Sequence, residues 1–355
     1  MNLNDCSADW AQLIDKGMVT AVDEKQVQQS RQALTFRVIA GTAFTIKTPP
    51  SADLLRNLRE WLLSGALGAI VFARTRTGKT SAIKWVLDAL SEVFGGPVSY
   101  LRVSHRSSGE NYTGPFFHQL LEAANHEYVK RGTVPERRTR LTNYLVSKAR
   151  ASIINTCVIV IDEAQKLTEN ELVLLLEICN EVELGGCRVF ALLIGQMELQ
   201  DKGTKFIETG QQEQLYERFF ANQLHLQCLG TVEEIQSCLV ELDNTKFPPG
   251  EPVFFVETYL TVAWQRGFRL SSLAPKIFEC FQQVANSVSG GVAFQLPMGY
   301  LMRTIIRLLN SLADSGHTSL IVDDLLIMQA VKACKYEASV KARVSREGTA
   351  KMPVV

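Results

Sequence analysis

Three unbroken apolar runs stand out along the chain, at residues 68–72, 157–161 and 189–194. Runs of this length are typical of parallel strands that are buried on both faces of a sheet. A fourth strand is predicted at 98–103, and a strand-like run follows at 223–228. Between these runs, apolar residues recur at helical spacing, in four segments: 51–62, which begins at Ser51 as a helix cap, 81–90, 115–124 and 172–182. The alternation predicts an α/β fold, a parallel αβα sandwich.

Strand signals stop after Cys228, and the chain continues as a series of helical patterns. The first opens with the capping box Thr231-Val232-Glu233-Glu234. Later helices are predicted near 257–266, 271–288, 298–312 and 322–331. This order predicts an all-helical lid after the α/β core. The last segment, 332–355, has six basic residues against two acids and little apolar pattern, which predicts a flexible tail.

The residues after the first apolar run read Ala73-Arg74-Thr75-Arg76-Thr77-Gly78-Lys79-Thr80, followed by Ser81. A strand, a tight loop and a helix N-terminus in that order bind anions, because loop N–H groups and the helix dipole face the ligand. Lys79 would add a charge at the β- and γ-phosphates, and Thr80 a hydroxyl for Mg²⁺. The segment predicts a nucleoside triphosphate site. Ala73 stands where the GxxxxGK[ST] template has glycine, which is tolerable at negative φ.

Asp162 and Glu163 directly follow the second apolar run, at the strand end where open α/β sheets bind ligands. Asp162 is suited to hold Mg²⁺ beside Thr80, usually through water. Glu163 is suited to orient and polarise the attacking water. Together with the phosphate-binding loop, this pair predicts ATP hydrolysis.

Three further side chains are candidates for contact with the γ-phosphate. Gln196 ends the third apolar run, although it could instead cap a loop. Arg218 could be donated across a subunit interface, or it could form a surface pair with Glu217. Arg303 could reach from the lid; Arg307 shares its helix face, and both could be ordinary surface residues.

Composition narrows the class of protein. The 355 residues are 46% hydrophobic and 21% charged, with 37 basic and 37 acidic side chains, so any binding to nucleic acid must be local. The eight cysteines are scattered and predict neither a zinc site nor a dithiol centre. Neither a signal peptide nor a membrane span is evident, so a soluble, cytoplasmic protein is expected.

The phosphate loop and the Asp162-Glu163 pair, followed by Gln196, Arg218 and Arg303, resemble the motifs of the AAA+ ATPases in their order. The resemblance implies that Gln196 is the first sensor, Arg218 the arginine finger and Arg303 the second sensor. Within that class, the chain resembles the TnsC and TniB family of transposition regulators over residues 45–332. The residues that carry this closer resemblance are Thr48-Pro49, Ile161-Asp162-Glu163-Ala164-Gln165, Leu193-Ile194-Gly195-Gln196, Glu217-Arg218-Phe219 and the basic tail.

The resemblance implies an ATP-dependent oligomer, a ring or filament on duplex DNA, that links a TniQ-like target-selection protein to transposase subunits. Slow, regulatory ATP hydrolysis with Mg²⁺ is expected. Such an assembly needs cations that face phosphates. The candidates are Lys130, Arg131, Arg137, Arg138 and Arg140, in a stretch that also contains Lys148 and Arg150 and the single acid Glu136.

These basic residues could also be an ordinary solvated surface. Arg102, His105 and Arg106 are a competing candidate for the DNA-binding surface. The alternative functions are an AAA+ motor or adaptor of a non-DNA system, such as secretion-complex assembly, and a nucleotide-gated scaffold without hydrolysis. The Asp162-Glu163 pair argues against the scaffold.

The resemblance and the patterns together divide the chain into four parts. These are an N-terminal extension (1–50), an AAA+ αβα core (51–229), a helical lid (230–334) and a basic flexible tail (335–355).

Overall fold

The core of the protein is one sheet of five parallel strands. The computed structural model describes residues 44–107, 113–210, 212–247, 252–289 and 293–349. The strands are β1 (Gly68–Phe72), β2 (Ser99–Ser104), β3 (Thr156–Asp162), β4 (Arg188–Gly195) and β5 (Gln223–His225). Their order across the sheet is β2-β3-β4-β1-β5. Every pairing is parallel, which places all the strand ends that carry candidate residues at the same edge.

Successive residues of the buried strands alternate between two apolar layers, as expected for a sheet covered on both faces. Ala69 and Val71 pack toward one layer, while Ile70 and Phe72 pack toward the other. The first layer is completed by α1 (Pro49–Ser64) and α2 (Lys79–Val93). The second is completed by α3 (Thr113–Ala123), α4 (Val134–Ala151), α5 (Glu169–Leu184) and α6 (Met197–Thr209). The αβα sandwich predicted from the sequence is confirmed.

Helix α1 begins three residues earlier than the sequence predicts. Thr48, and not Ser51, is its N-cap. The Ser51 N–H donates to Thr48 Oγ1 at 3.2 Å, and the Thr48 N–H donates to Ser51 Oγ at 2.8 Å. Because Pro49 lacks an N–H that the first turn would leave unpaired anyway, the Thr-Pro pair starts the helix before Ser51.

A separate helical unit follows β5. It comprises α7 (Val232–Asn244), α8 (Thr261–Gln265), α9 (Ala274–Ser289), α10 (Met298–Asp314) and α11 (Asp324–Ala333). The predicted capping box opens α7, with Thr231 as N-cap and Glu234 as its reciprocal partner. These helices share one buried apolar cluster, into which Phe44 and Ile46 also pack. The all-helical lid is therefore confirmed, and residues just ahead of α1 cover part of it.

The segment that the sequence predicts as a flexible tail contains a further helix, α12 (Tyr336–Thr349). Tyr336, Val340 and Arg343 are buried, at a spacing that puts them on one helix face. The Tyr336 ring lies 5.1 Å from Phe281 and 5.6 Å from Tyr300, so α12 packs on α9 and α10. The burial of these three residues outweighs the basic composition that suggested a flexible tail. Residues 1–43 of the predicted N-terminal extension, and residues 350–355 of the predicted tail, lie outside the described residues.

Within the described part of the chain, no helix combines the length and the apolarity needed to cross a membrane.

Replacement of Gly68 by alanine should destabilise the core. A Cβ at Gly68 would lie 2.8 Å from the Arg218 carbonyl oxygen and 2.9 Å from the Ala191 carbonyl oxygen. Both are backbone atoms that cannot swing away, so we expect Gly68→Ala to lower the free energy of unfolding by about 1–3 kcal/mol in chemical denaturation.

Gly114→Ala is the matched control, because a Cβ there would meet its nearest atoms at 3.8 Å and 3.9 Å, which is ordinary contact. It should not lower stability, because alanine is favoured over glycine in a helix. Equal stability of the two variants would contradict the close approach at Gly68.

Candidate nucleotide site

The phosphate loop (residues 73–80) leaves β1 and leads directly into α2. Arg76 and Gly78 supply its two residues with positive φ, at 64° and 93°. Ala73 is fully buried, and its N–H donates to the Gly195 carbonyl at 3.2 Å. Ala73 thus extends the pairing between β1 and β4 by one residue. A glycine is not needed there because the turn is made three residues later.

Lys79 closes the loop on itself. Its Nζ donates to the carbonyl oxygens of Ala73 at 2.9 Å and Arg74 at 3.0 Å. Thr77 Oγ1 also donates to the Arg74 carbonyl, at 2.9 Å. Burial lowers the pKa of Lys79, and the nearby carboxylates of Glu163, Asp162 and Glu198 offset part of that effect. The lysine is therefore a desolvated cation that an added anion would stabilise.

Asp162, at the end of β3, lies beside the first residues of α2. Thr80 Oγ1 is 3.4 Å from Asp162 Oδ2, and Arg102 Nη2 is 3.5 Å from the same oxygen. Two hard oxygens at this separation fit a shared Mg²⁺, which would take its remaining ligands from water and phosphate. Within the described residues, no group of three or more His, Cys, Asp or Glu side chains forms a metal cluster.

Glu163 is held in the left-handed region, with φ of 60°, at the turn after β3. Its Oε2 accepts from Gln165 Nε2 at 2.9 Å and lies 3.1 Å from Lys166 Nζ. Although burial would raise the pKa of Glu163, the hydrogen bonds from Lys166 and Gln165 lower it overall. The carboxylate is therefore ionised and fixed in direction, as a water-orienting base needs to be.

Gln196 follows β4 and is linked to Glu163 through one side chain. The backbone N–H of Gln196 donates to Gln165 Oε1 at 3.2 Å. The Gln165 amide therefore bridges the first-sensor candidate and the candidate base. Sequence reasoning used Gln165 only as part of the resemblance, and gave no role to Lys166. Their position just after a strand that ends in two acids is the signal that could have drawn attention to them.

The lid contacts the phosphate loop directly through the start of α10. The Gly299 N–H donates to the Arg76 carbonyl at 3.0 Å, and the Arg76 guanidinium lies over the Tyr300 ring, 5.4 Å from its centre. A Cβ at Gly78 would meet Met298 Cβ at 3.3 Å, and one at Gly299 would lie 3.0 Å from the Arg76 carbonyl oxygen. The absence of side chains at Gly78 and Gly299 therefore allows the phosphate loop and the lid to pack closely together.

A first cavity of about 250 Å³ lies between the phosphate loop, the chain ahead of α1 and helix α10. Its lining includes Phe44, Ile46, Thr77, Ser81, Met302 and Arg303. The structure thus brings Arg303 to the same cavity as the phosphate loop, while Arg307 is exposed one turn further along α10. The apolar side chains of this cavity could accommodate the flat base of a nucleotide, and the phosphate loop could accommodate the phosphates of that nucleotide.

Arg218 lies near the opposite edge of the sheet, on a π-helical turn (Tyr216–Phe220). Its side chain is 7% exposed, and Nη2 lies 2.6 Å from Glu183 Oε1. Its partner is therefore Glu183, and not the neighbouring Glu217 suggested from the sequence. An arginine buried in its own subunit reaches a neighbour's phosphate only if this pair opens. Its role as a finger stays a prediction.

The five candidate DNA-binding residues have three different environments. Arg138 lies 2.6 Å from Glu177 and 2.5 Å from Glu181, so its charge is neutralised on α5. Arg137 donates to the Lys130 carbonyl at 3.0 Å, and Arg140 donates to the Arg131 carbonyl at 2.8 Å. Lys130 and Arg131 are exposed on the loop that these two arginines hold.

The competing basic surface is largely committed to contacts within the protein. Arg102 lies beside Asp162, and Arg106 lies 3.3 Å from Glu122. His105 is buried, with Nε2 3.5 Å from Glu171 Oε2, and burial lowers its pKa despite that carboxylate. Lys130 and Arg131 are exposed, whereas Arg102 and His105 are directed to carboxylates within the protein.

Residues 52–202 match the family model described as an AAA domain. This stretch of the chain is similar to AAA domains, and it includes the phosphate loop, Asp162, Glu163 and Gln196. The five-stranded parallel sheet with its flanking helices, followed by a helical unit, fits the AAA+ fold. No curated protein matches the chain in sequence.

Solved structures resemble the chain only distantly. The Aeropyrum pernix ORC2 protein in its ADP form is 15% identical, with a TM-score of 0.49 over 79% of this chain and 66% of that one. A Walker-type ATPase of Pyrococcus abyssi is 13% identical, with a TM-score of 0.47 over 84% of this chain and 76% of that one. The Aeropyrum pernix ORC1 protein in complex with DNA is 17% identical, with a TM-score of 0.41 over 86% and 85%. Similarity at this level assigns no activity to the chain.

Arg218→Ala should destabilise the AAA domain even without a second subunit. It removes a buried guanidinium that contacts Glu183 and, at 3.4 Å, Asn180. We expect the free energy of unfolding to fall by about 1–3 kcal/mol in chemical denaturation of the monomer. The control is Glu217→Ala, because Glu217 is the exposed neighbour of Arg218, and this change should leave stability unchanged. An Arg218→Ala monomer as stable as the wild type would instead favour a role confined to the subunit interface.

Proposed function

We propose that this chain is an ATP-dependent regulator of transposition that oligomerises on duplex DNA and uses slow ATP hydrolysis as a switch. The observation that carries the ATP-dependent switch is the direct contact between the phosphate loop and α10. The Gly299 N–H donates to the Arg76 carbonyl at 3.0 Å, so a ligand that moves Arg76 would also move Gly299. Nucleotide occupancy would thus set the orientation of the lid.

The proposed roles at the site follow from the environment of each side chain. Lys79 would exchange its two loop carbonyls for β- and γ-phosphate oxygens, while the backbone of residues 75–78 and Ser81 surround the phosphates. Thr80 and Asp162 would hold Mg²⁺, which when bound neutralises charge on the β- and γ-phosphates. Glu163 would orient the attacking water, and Gln196 would hold the γ-phosphate or that water.

Assembly on DNA is supported by how the loop at 124–133 is built. Arg137 and Arg140 bond to carbonyls of this loop, which keeps Lys130 and Arg131 on the exposed side. Arg131 also lies over the Tyr128 ring, at 5.8 Å from its centre. Two cations held outward on a fixed loop can contact phosphates along a duplex without reading bases. Arg137, Arg138 and Arg140 would act through the loop and α5, and not on DNA.

Transposition as the process, with transposase subunits and a TniQ-like protein as partners, rests on the resemblance in sequence alone. The alternative is a motor or adaptor of a non-DNA system such as secretion-complex assembly. DNA dependence separates them, because only the DNA-bound regulator should hydrolyse ATP faster, or assemble, when duplex DNA is added.

Two substitutions should separate nucleotide binding from hydrolysis. Lys79→Ala should abolish ATP binding because it removes the buried cation, and should prevent assembly on DNA in electron micrographs. Glu163→Gln should keep ATP binding but lower turnover by at least about a hundredfold, since the amide cannot polarise water. It should also retain the assembly longer. Normal turnover in Glu163→Gln would remove Glu163 from the proposed role.

Charge reversal at Lys130 and Arg131 should weaken DNA binding. The doubly substituted Lys130→Glu, Arg131→Glu protein should bind duplex DNA less tightly, and the slope of log affinity against log salt should fall by about two. The control pair is Lys205→Glu with Lys332→Glu, which changes net charge equally at exposed positions elsewhere. Equal losses in both proteins would show a general charge effect and contradict a local DNA site.

A further inference from the structure

A second cavity lies on the other side of the phosphate loop from the first. Its volume is about 330 Å³, and its lining includes Arg74, Thr75, Gln196, Glu198, Tyr336 and Arg343. Residues from the phosphate loop and from the end of β4 therefore face residues of α12 across one space. Sequence reasoning gave α12 no part in the site.

Arg343 is the unusual residue in this cavity. Only 9% of it is exposed. Its Nη1 lies 3.3 Å from Gln295 Oε1, whereas Nε and Nη2 are buried and have no hydrogen-bond partner among the described residues. A buried guanidinium with two unpaired donors is costly, and a bound anion would satisfy both.

Other charges make the cavity suited to an anion. Burial raises the pKa of the Cys228 thiol, which also lines the cavity, and Arg74, Arg343 and Lys79 each lower it. Two cations of the phosphate loop and one of α12 are therefore close enough to act on one sulfur atom. Glu198 is the acid that lines the same space, and its side chain is exposed to solvent. The balance among the residues named here is positive.

The direction of Arg343 is set by the anchoring of α12. Tyr336 Oη donates to the Gln295 carbonyl at 2.8 Å, and its ring packs on Phe281 and Tyr300. The Arg76 guanidinium of the phosphate loop lies over the Tyr300 ring. Since Arg343 lies on the same helix face as Tyr336, docking of α12 brings the guanidinium into the cavity beside the loop.

We propose that Arg343 binds the terminal phosphate of a nucleoside triphosphate held by Lys79, so that α12 docks tightly when the triphosphate is bound. The inference rests on the proposed function, in which the phosphate loop binds ATP. It adds a contact specific to the γ-phosphate, made within the same subunit by the segment after the lid. A diphosphate would lack that contact and leave α12 more loosely held.

The test is the affinity of the full chain for fluorescent ATPγS and fluorescent ADP, measured by equilibrium titration. Arg343→Gln should weaken ATPγS binding by about tenfold to a hundredfold, the usual effect of losing charged hydrogen bonds. ADP binding should stay within about twofold of wild type, because only the terminal phosphate loses a contact. Arg343→Lys, which keeps the charge, should recover part of the loss.

The matched control is Lys341→Gln on the same helix, because Lys341 is exposed and pairs with Glu337 at 2.7 Å. It should bind both nucleotides as the wild type does. Equal weakening of ATPγS and ADP in Arg343→Gln, or no change in either, would overturn the inference while leaving the proposed function intact. Failure of the wild-type chain to bind either nucleotide would overturn both.

A second measurement does not depend on a substituted protein that might unfold. Trypsin should cleave the wild-type chain within α12, after Lys341 or Arg343, more slowly with ATPγS than with ADP. Equal cleavage rates at saturating nucleotide would overturn the inference.

Discussion

The position of β1 in the sheet is the constraint on which the rest of the site depends. β1 pairs with β4 on one side and β5 on the other, so its carboxyl end is flanked by the ends of two other strands. The phosphate loop starts there, and Asp162 and Gln196 end up beside it because their strands run parallel and finish at the same level. Because Gly68 has no side chain, β1 can lie close to the backbones of Ala191 and Arg218. The chemistry of the edge is therefore a consequence of strand packing.

The lid packs against that edge as a second unit. Its helices share their own apolar cluster, and they contact the core through the pairing of Leu229 with Leu296 and through the start of α10. A unit with its own core can turn as a body. In the proposed switch, the hydrogen bond between Gly299 and Arg76 would make such a rotation depend on the shape of the phosphate loop. Helix α12 contacts both units. Tyr336 packs on Tyr300 of the lid, and Arg343 lines the second cavity together with residues of the phosphate loop.

Buried cations show why charge in a sequence is an uncertain guide to function. Arg138, Arg218 and Arg343 are all half-buried or buried, yet their surroundings differ. Arg138 meets two carboxylates and Arg218 meets one, so their charges are compensated within the subunit. Among the residues that the structure describes, Arg343 meets only an amide oxygen. The compensated arginines stabilise the packing of helices, while the uncompensated one retains the capacity to bind an anion.

The sequence by itself determined the fold class, the phosphate loop and the acids after β3, because these depend on short-range patterns: apolar runs, helix caps and residues adjacent along the chain. The lid was predictable for the same reason. Only the tertiary structure decided which basic residues stay exposed, that Arg218 pairs with Glu183, and that α12 folds onto the lid with Arg343 beside the phosphate loop. Each of these depends on partners distant along the chain, and periodicity carries no information about which distant side chain will neutralise a charge.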